Sequence, residues 1–133
     1  LDDKLKQDTT LLGVLTLCLV LRKPDAEIPW IILVPKVPGV TEITQLEKGD
    51  QHILMDEINH LAHVLKSHDP SGKLNIGTLG NIVAQLHIHI ILRKNNDRAW
   101  PQSIWGSRND SSLSWKSNID QNLKVISDII NNV

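Results

Sequence analysis

The stretch Gln85-Leu86-His87-Ile88-His89-Ile90-Ile91 alternates polar and apolar side chains with a period of two. That period fits a pleated strand and no helix, so the segment is expected in a sheet with one face on a core. Leu86, Ile88 and Ile90 should be buried, and Gln85, His87 and His89 should project from the opposite face as an interior strand lining a cleft. Two imidazoles and an amide then share one face. Same-face neighbours on a strand lie about 6–7 Å apart, close enough for His87 and His89 to act on one small anionic group such as a phosphate.

The remaining pattern supplies partners for that strand. Leu11 to Leu21 and Trp30 to Val37 are apolar, β-branched runs separated by Lys23-Pro24-Asp25-Ala26, and they read as two strands of a hairpin or meander. Leu54, Ile58, Leu61 and Leu65 recur at helical spacing and predict a helix from about Asp50 to His68, stopped by Asp69-Pro70-Ser71-Gly72. Leu74 to Leu79 and Ala84 to Arg93 read as two further strands joined around Gly80-Asn81, both of which tolerate positive φ. The pattern weakens after Gly106 and resumes as a helix from Ser117 to Asn132, with Ile119, Leu123, Ile126 and Ile130 on one face and Ser117 or Asn118 as its cap. Antiparallel strand groups with helices between them make an α+β domain.

At 133 residues the chain suits one domain with its own core. Its net charge of −1 leaves no global basic field for long nucleic acid, so a polyanionic ligand must be bound locally. There is no Phe or Tyr, and Leu, Ile and Val must build the core. The single cysteine, Cys18, lies in an apolar run and reads as a buried, inert thiol, which fits a reducing cytosol. Leu11 to Leu21 falls short of the ~18–20 apolar residues of a membrane helix and no signal peptide is visible, so the expectation is a cytoplasmic protein with no membrane partner.

The spacing at 85–91 resembles the signature of the histidine triad (HIT) family of nucleotide-binding hydrolases and transferases, His-φ-His-φ-His-φ-φ with φ apolar. Gln85 stands in place of the first His, and His87 and His89 fall on the second and third. Trp30-Ile31-Ile32-Leu33-Val34-Pro35, the Leu79-Gly80-Asn81 turn and Asp97-Arg98-Ala99-Trp100-Pro101 extend the resemblance from roughly Leu5 to Gly106. It implies one HIT-like domain over residues 1–133: a five-stranded antiparallel sheet with a long helix and a C-terminal helix, and a tail from 107 to 133. It also implies a homodimer and a nucleotide or dinucleoside polyphosphate substrate, as in diadenosine tetraphosphate hydrolase-like members.

By the same resemblance His87 is the nucleophile, attacking an α-phosphate to form a nucleotidyl-histidine that water resolves, and His89 binds a phosphate oxygen. Neutral imidazole suits the attack, because with an ordinary pKa near 6.5 it is largely unprotonated at neutral pH. Gln85 is implied beside the leaving group, where an amide can hydrogen-bond but cannot titrate. Asn75, Gly80 and Asn81 are the implied phosphate contacts through side chain and backbone N–H; a plain hairpin turn is the alternative for Gly80 and Asn81. Ile82 stands where some members carry a hydroxyl. Trp30 occupies the place of a further His, and is either a wall against a base or a packed side chain. No cofactor is implied.

Other readings stand beside these. His87 and His89 form either a strand-borne metal pair in a metal-dependent enzyme or a structural pair, although amide neighbours make poor zinc ligands. A nucleotide-binding module of the same fold, with catalysis weakened by Gln85 and Trp30, is the second reading. His60 and His63 are spaced for a metal but lack a third ligand, and with His52 and His68 they read as exposed. Trp100 and Trp105 serve as a lid or dimer contact, or as buried anchors. Lys36, Arg93 and Lys94 attract phosphate or are simply solvated.

Overall fold

The computed structural model describes residues 1–106 and 122–133. Five antiparallel strands, β1 (Thr10–Val14), β2 (Cys18–Arg22), β3 (Trp30–Pro35), β4 (Lys73–Gly77) and β5 (Ile88–Arg93), form one sheet in the order β1-β2-β3-β5-β4. Helix α1 (Asp3–Asp8) precedes β1, α2 (Lys48–His68) joins β3 to β4, and α3 (Leu123–Asn131) ends the chain. The α+β expectation and the five-stranded antiparallel sheet both hold.

Alternation sorts the sheet into two faces. Val20, Ile31, Leu33, Ile88, Ile90 and Leu92 form a core with Leu54, Ile58, Leu61 and Leu65 of α2 and with Ile126 and Ile129 of α3. The apolar stripe of α2 is therefore the reason it lies on the sheet. The opposite face carries Leu21, Trp30, Ile32, Val34 and Ile91, covered by Leu5 of α1, Ile28, Val83 and Ile104. His89 and Arg93 belong to this second face by the register of β5.

Several boundaries differ from the sequence reading. The run Leu11 to Leu21 is two strands, not one, because the chain turns back between Val14 and Cys18. Glu57 of α2, buried, fixes that reversal: its carboxylate accepts from Leu17 N at 2.7 Å and Cys18 N at 3.0 Å. Burial and that carboxylate raise the Cys18 thiol's pKa, so the residue is inert. The β4–β5 link is no tight turn either. Pairing starts at Gly77↔His89, so residues 78–87 form a long connection, and Leu86 instead bonds to Val40 O at 2.9 Å. Only α3 of the expected C-terminal helix lies within the described residues; its expected start, with Ser117, Asn118 and Ile119, lies outside them.

Two of the helix histidines have partners that the sequence reading did not foresee. His60 Nε2 meets Asn132 O at 2.7 Å and His68 Nε2 meets the Asp128 carboxylate at 2.7 Å, so both tie α2 to α3. Arg93 is the larger correction: expected at the surface, it is 1% exposed, with its guanidinium on Asp97, Asn75 and Gln102. No described helix is long and apolar enough to cross a membrane.

Candidate active site

β5 is an interior strand, bonded to β3 on one side and β4 on the other, and this holds His89 in place, with His87 immediately before the strand. Leu86, Ile88 and Ile90 are buried in the α2-side core as expected, while His87 and His89, also buried, border a cavity of about 330 Å³ on the second face. Lys4, Leu5, Asp8 and Thr9 of α1 and the segment after it form one wall; Leu79, Gly80, Asn81, Ile82 and Val83 form another. Lys23 and Ile32 complete the lining beside the histidines, with Gly106 at the rim. A second cavity, of about 340 Å³, opens at the Lys73–Arg93 end of the β4–β5 pair and contains neither histidine.

Each imidazole is held by a bond made before any ligand arrives. His87 Nδ1 lies 2.7 Å from the backbone oxygen of Gln85, and the two imidazole centroids are 5.0 Å apart. Trp30, buried on β3, donates its indole N–H to His89 Nδ1 at 2.9 Å. Trp105 packs T-shaped against His89 at 5.6 Å and lies close over β4, where a Cβ on Gly77 would come within 3.1 Å of the indole. Burial foremost, then the His87 and Lys23 charges, push the His89 pKa down to about 3.

The charge around the cavity is mainly cationic. Lys4 and Asp8 neutralise one another at 3.0 Å. The Lys23 ammonium lies 4.2 Å from the Trp30 ring centroid, and burial lowers its pKa against the opposing pull of Asp25 and Asp8. Asp25, in turn, is held by Arg98 at 2.8 Å and by two backbone N–H groups. A cavity with a lysine ammonium, two imidazoles and glycine-bearing backbone suits an anion attached to an apolar body.

The sequence-derived candidates do not all meet there. His87, His89, Gly80 and Asn81 line the cavity; Gln85, Asn75 and Trp30 do not. Gln85 is half-buried and its side-chain oxygen accepts from Asp2 N at 2.6 Å, which ties it to the start of α1. Asn75 gives its side-chain oxygen to Arg93 at 3.1 Å. Trp30 acts behind His89 and not as a wall of the cavity. Trp100 is 38% exposed and lies 5.6 Å from the Arg93 guanidinium, well away from the histidines in the second cavity's lining. Sequence reasoning missed Lys4, Leu5, Asp8, Thr9 and Lys23, because a six-residue, mostly polar helix and a lysine beside a proline carry no pattern. No group of three or more His, Cys, Asp or Glu suited to a metal ion occurs among the described residues.

Comparison with known proteins agrees with this fold. A histidine triad protein of Bradyrhizobium japonicum is 38% identical, with 100% of this chain and 96% of that one covered at a TM-score of 0.84. One from Sinorhizobium meliloti is 34% identical over 100% and 96% of the two chains, with a TM-score of 0.82. One from Marinobacter aquaeolei is 34% identical over 96% and 95%, with a TM-score of 0.79. No curated protein matches the chain. A sequence model of the HIT domain matches residues 4–96, well over half the length. The chain belongs to the histidine triad (HIT) family.

Proposed function

We propose that this protein is a HIT-type nucleotide hydrolase or nucleotidyl transferase that cleaves a nucleoside phosphate derivative, such as a dinucleoside polyphosphate, at the α-phosphate. The observation that carries the reading is the contact of His87 Nδ1 with the Gln85 carbonyl at 2.7 Å. A carbonyl only accepts, so Nδ1 holds a proton, and in the neutral ring Nε2 keeps its lone pair for attack. That lone pair forms a bond to the α-phosphorus as the bond to the leaving oxygen breaks, and the leaving oxygen takes a proton from water. Water, or another acceptor, then attacks the same phosphorus. The P–N bond breaks, its electron pair returns to the imidazole, and the acceptor's proton passes to solvent. His89 and the backbone around Gly80 and Asn81 steady the phosphoryl oxygens meanwhile.

A second reading, a nucleotide-binding module with weak or no catalysis, is favoured by Gln85, whose amide cannot titrate and is already engaged by Asp2 N. Incubation of concentrated protein with a dinucleoside polyphosphate labelled at the α-phosphate, followed by acid quench, separates the two. The expected result is turnover with an acid-labile, base-stable adduct in the native protein and neither in His87→Ala. Undiminished turnover in His87→Ala would overturn the nucleophile assignment, and saturable binding without adduct or turnover would favour the second reading. We also read residues 1–133 as one HIT-like domain that assembles as a homodimer, with the exposed Ile76 of edge strand β4 available to a second copy.

A further inference from the structure

We infer that Trp30 is a positioning residue for His89: by occupying Nδ1 it fixes the ring as the Nε2–H tautomer and makes His89 a permanently neutral hydrogen-bond donor to the cavity. The inference deepens the hydrolase reading and rests on it for its use in catalysis, but the tautomer itself does not. An indole nitrogen has a proton to give and no lone pair in the ring plane to offer. Across the 2.9 Å contact between Trp30 Nε1 and His89 Nδ1, the imidazole nitrogen must therefore be the acceptor. A neutral imidazole with a bare Nδ1 carries its proton on Nε2.

Protonating Nδ1 would set two N–H groups against each other in a buried place and leave the Trp30 N–H without an acceptor. The groups facing His89 act in the same direction. Lys23, just after β2, brings positive charge, as would His87, just before β5, if it took up a proton; Trp105 brings only an uncharged indole, and the Lys4–Asp8 pair across the cavity is self-neutralised. Lys23 also lies on the face of the Trp30 ring, 4.2 Å from its centroid, where a cation draws electron density from the indole and sharpens its N–H as a donor.

Two chemical consequences follow. His89 can hydrogen-bond a phosphoryl oxygen through Nε2–H at any pH above the acid range, and it needs no proton uptake to do so. Neither of its nitrogens has a spare lone pair, so His89 does not join His87 in a metal site.

The test is two-bond ¹H–¹⁵N correlation of the histidine rings in the ligand-free protein between pH 5 and 8.5, with the His89 signals identified by their absence in His89→Gln. The native protein should show His89 as the Nε2–H tautomer with no titration across that range. Trp30→Phe keeps an aromatic ring, smaller and without the donor, and it should shift both nitrogen signals toward tautomer averaging and bring a titration into the window. A native His89 that is protonated on Nδ1, or that titrates between pH 5 and 7, would overturn the inference without any variant. Unchanged His89 signals in folded Trp30→Phe would overturn it as well. No substrate is involved, so failure here leaves the His87 assignment standing.

Discussion

Replacing Arg93 by Met tests whether the far end of β5 is held by a buried ion pair. Arg93 is 1% exposed and the Asp97 side chain 5%, and the guanidinium makes contacts of 2.5 and 2.9 Å with the two carboxylate oxygens. It also donates to Asn75 at 3.1 Å and to Gln102 O at 2.9 Å. Removing one partner of such a pair costs about 3–5 kcal/mol, because the other charge stays buried. Asp97 keeps two backbone donors, Ala99 N at 3.0 Å and Trp100 N at 2.9 Å, which places the expected loss near the lower bound. At a urea dependence of about 2 kcal/mol per M, a loss of about 3 kcal/mol lowers the unfolding midpoint by about 1.5 M.

The pH dependence has a definite sign. The bond from Arg93 foremost, with the backbone donors and the Arg93 charge, holds the Asp97 carboxyl below its ordinary range despite some burial. A carboxyl with a depressed folded pKa stabilises the protein above its unfolded pKa of about 3.9, and that contribution disappears as pH falls through the folded value. The gap between native protein and Arg93→Met should therefore be complete at pH 7 and narrow below about pH 4. Urea unfolding followed by tryptophan fluorescence at pH 7 and pH 3 measures both. A gap under about 1 kcal/mol at pH 7 would mark an exposed, screened pair and refute the argument, as would a gap that does not narrow in acid.

Restoring an imidazole by Gln85→His should raise turnover most for substrates with poor leaving groups, up to the about 10²–10⁴-fold typical of general acid help; a uniform effect across leaving groups would show that protonation there is not limiting. Sedimentation equilibrium at micromolar concentration should give about 30 kDa, twice the 14.9 kDa chain mass, and a value near that of one chain would exclude the homodimer.

The parts of the fold legible in the sequence are those where a periodic apolar pattern meets a single core. β5 was readable because Ile88 and Ile90 alternate with His89, although its start was set too early, since Leu86 bonds to Val40 and not to a neighbouring strand; α2 was readable because its leucines keep one stripe. The break between β1 and β2 was not, since the reversal is stabilised by Glu57, 40 residues away from Leu17 in the chain. Helix α1 has six residues with Leu5 as its one buried side chain, too few for any periodicity to register. Within the site, His87 and His89 were visible from spacing and family signature. Asn75 was misleading because its role depends on Arg93, and a lone arginine at the end of a strand gives no sign of being buried. The Trp30–His89 bond joins residues 59 apart and has no local signature at all.

The place of β5 between two strands has a further consequence for exchange kinetics. Amides paired on both of its edges should open only when the whole sheet comes apart, so they belong to the slowest-exchanging class of the molecule. The facing wall is α1, a single short helix anchored through Leu5 and the Asp2–Gln85 bond, which can fray independently. His89 thus sits on the most persistent element of the sheet, with His87 immediately before it, and the wall opposite them on one of the least. Fraying of the first nine residues should therefore leave His89 where β3 and β4 hold it.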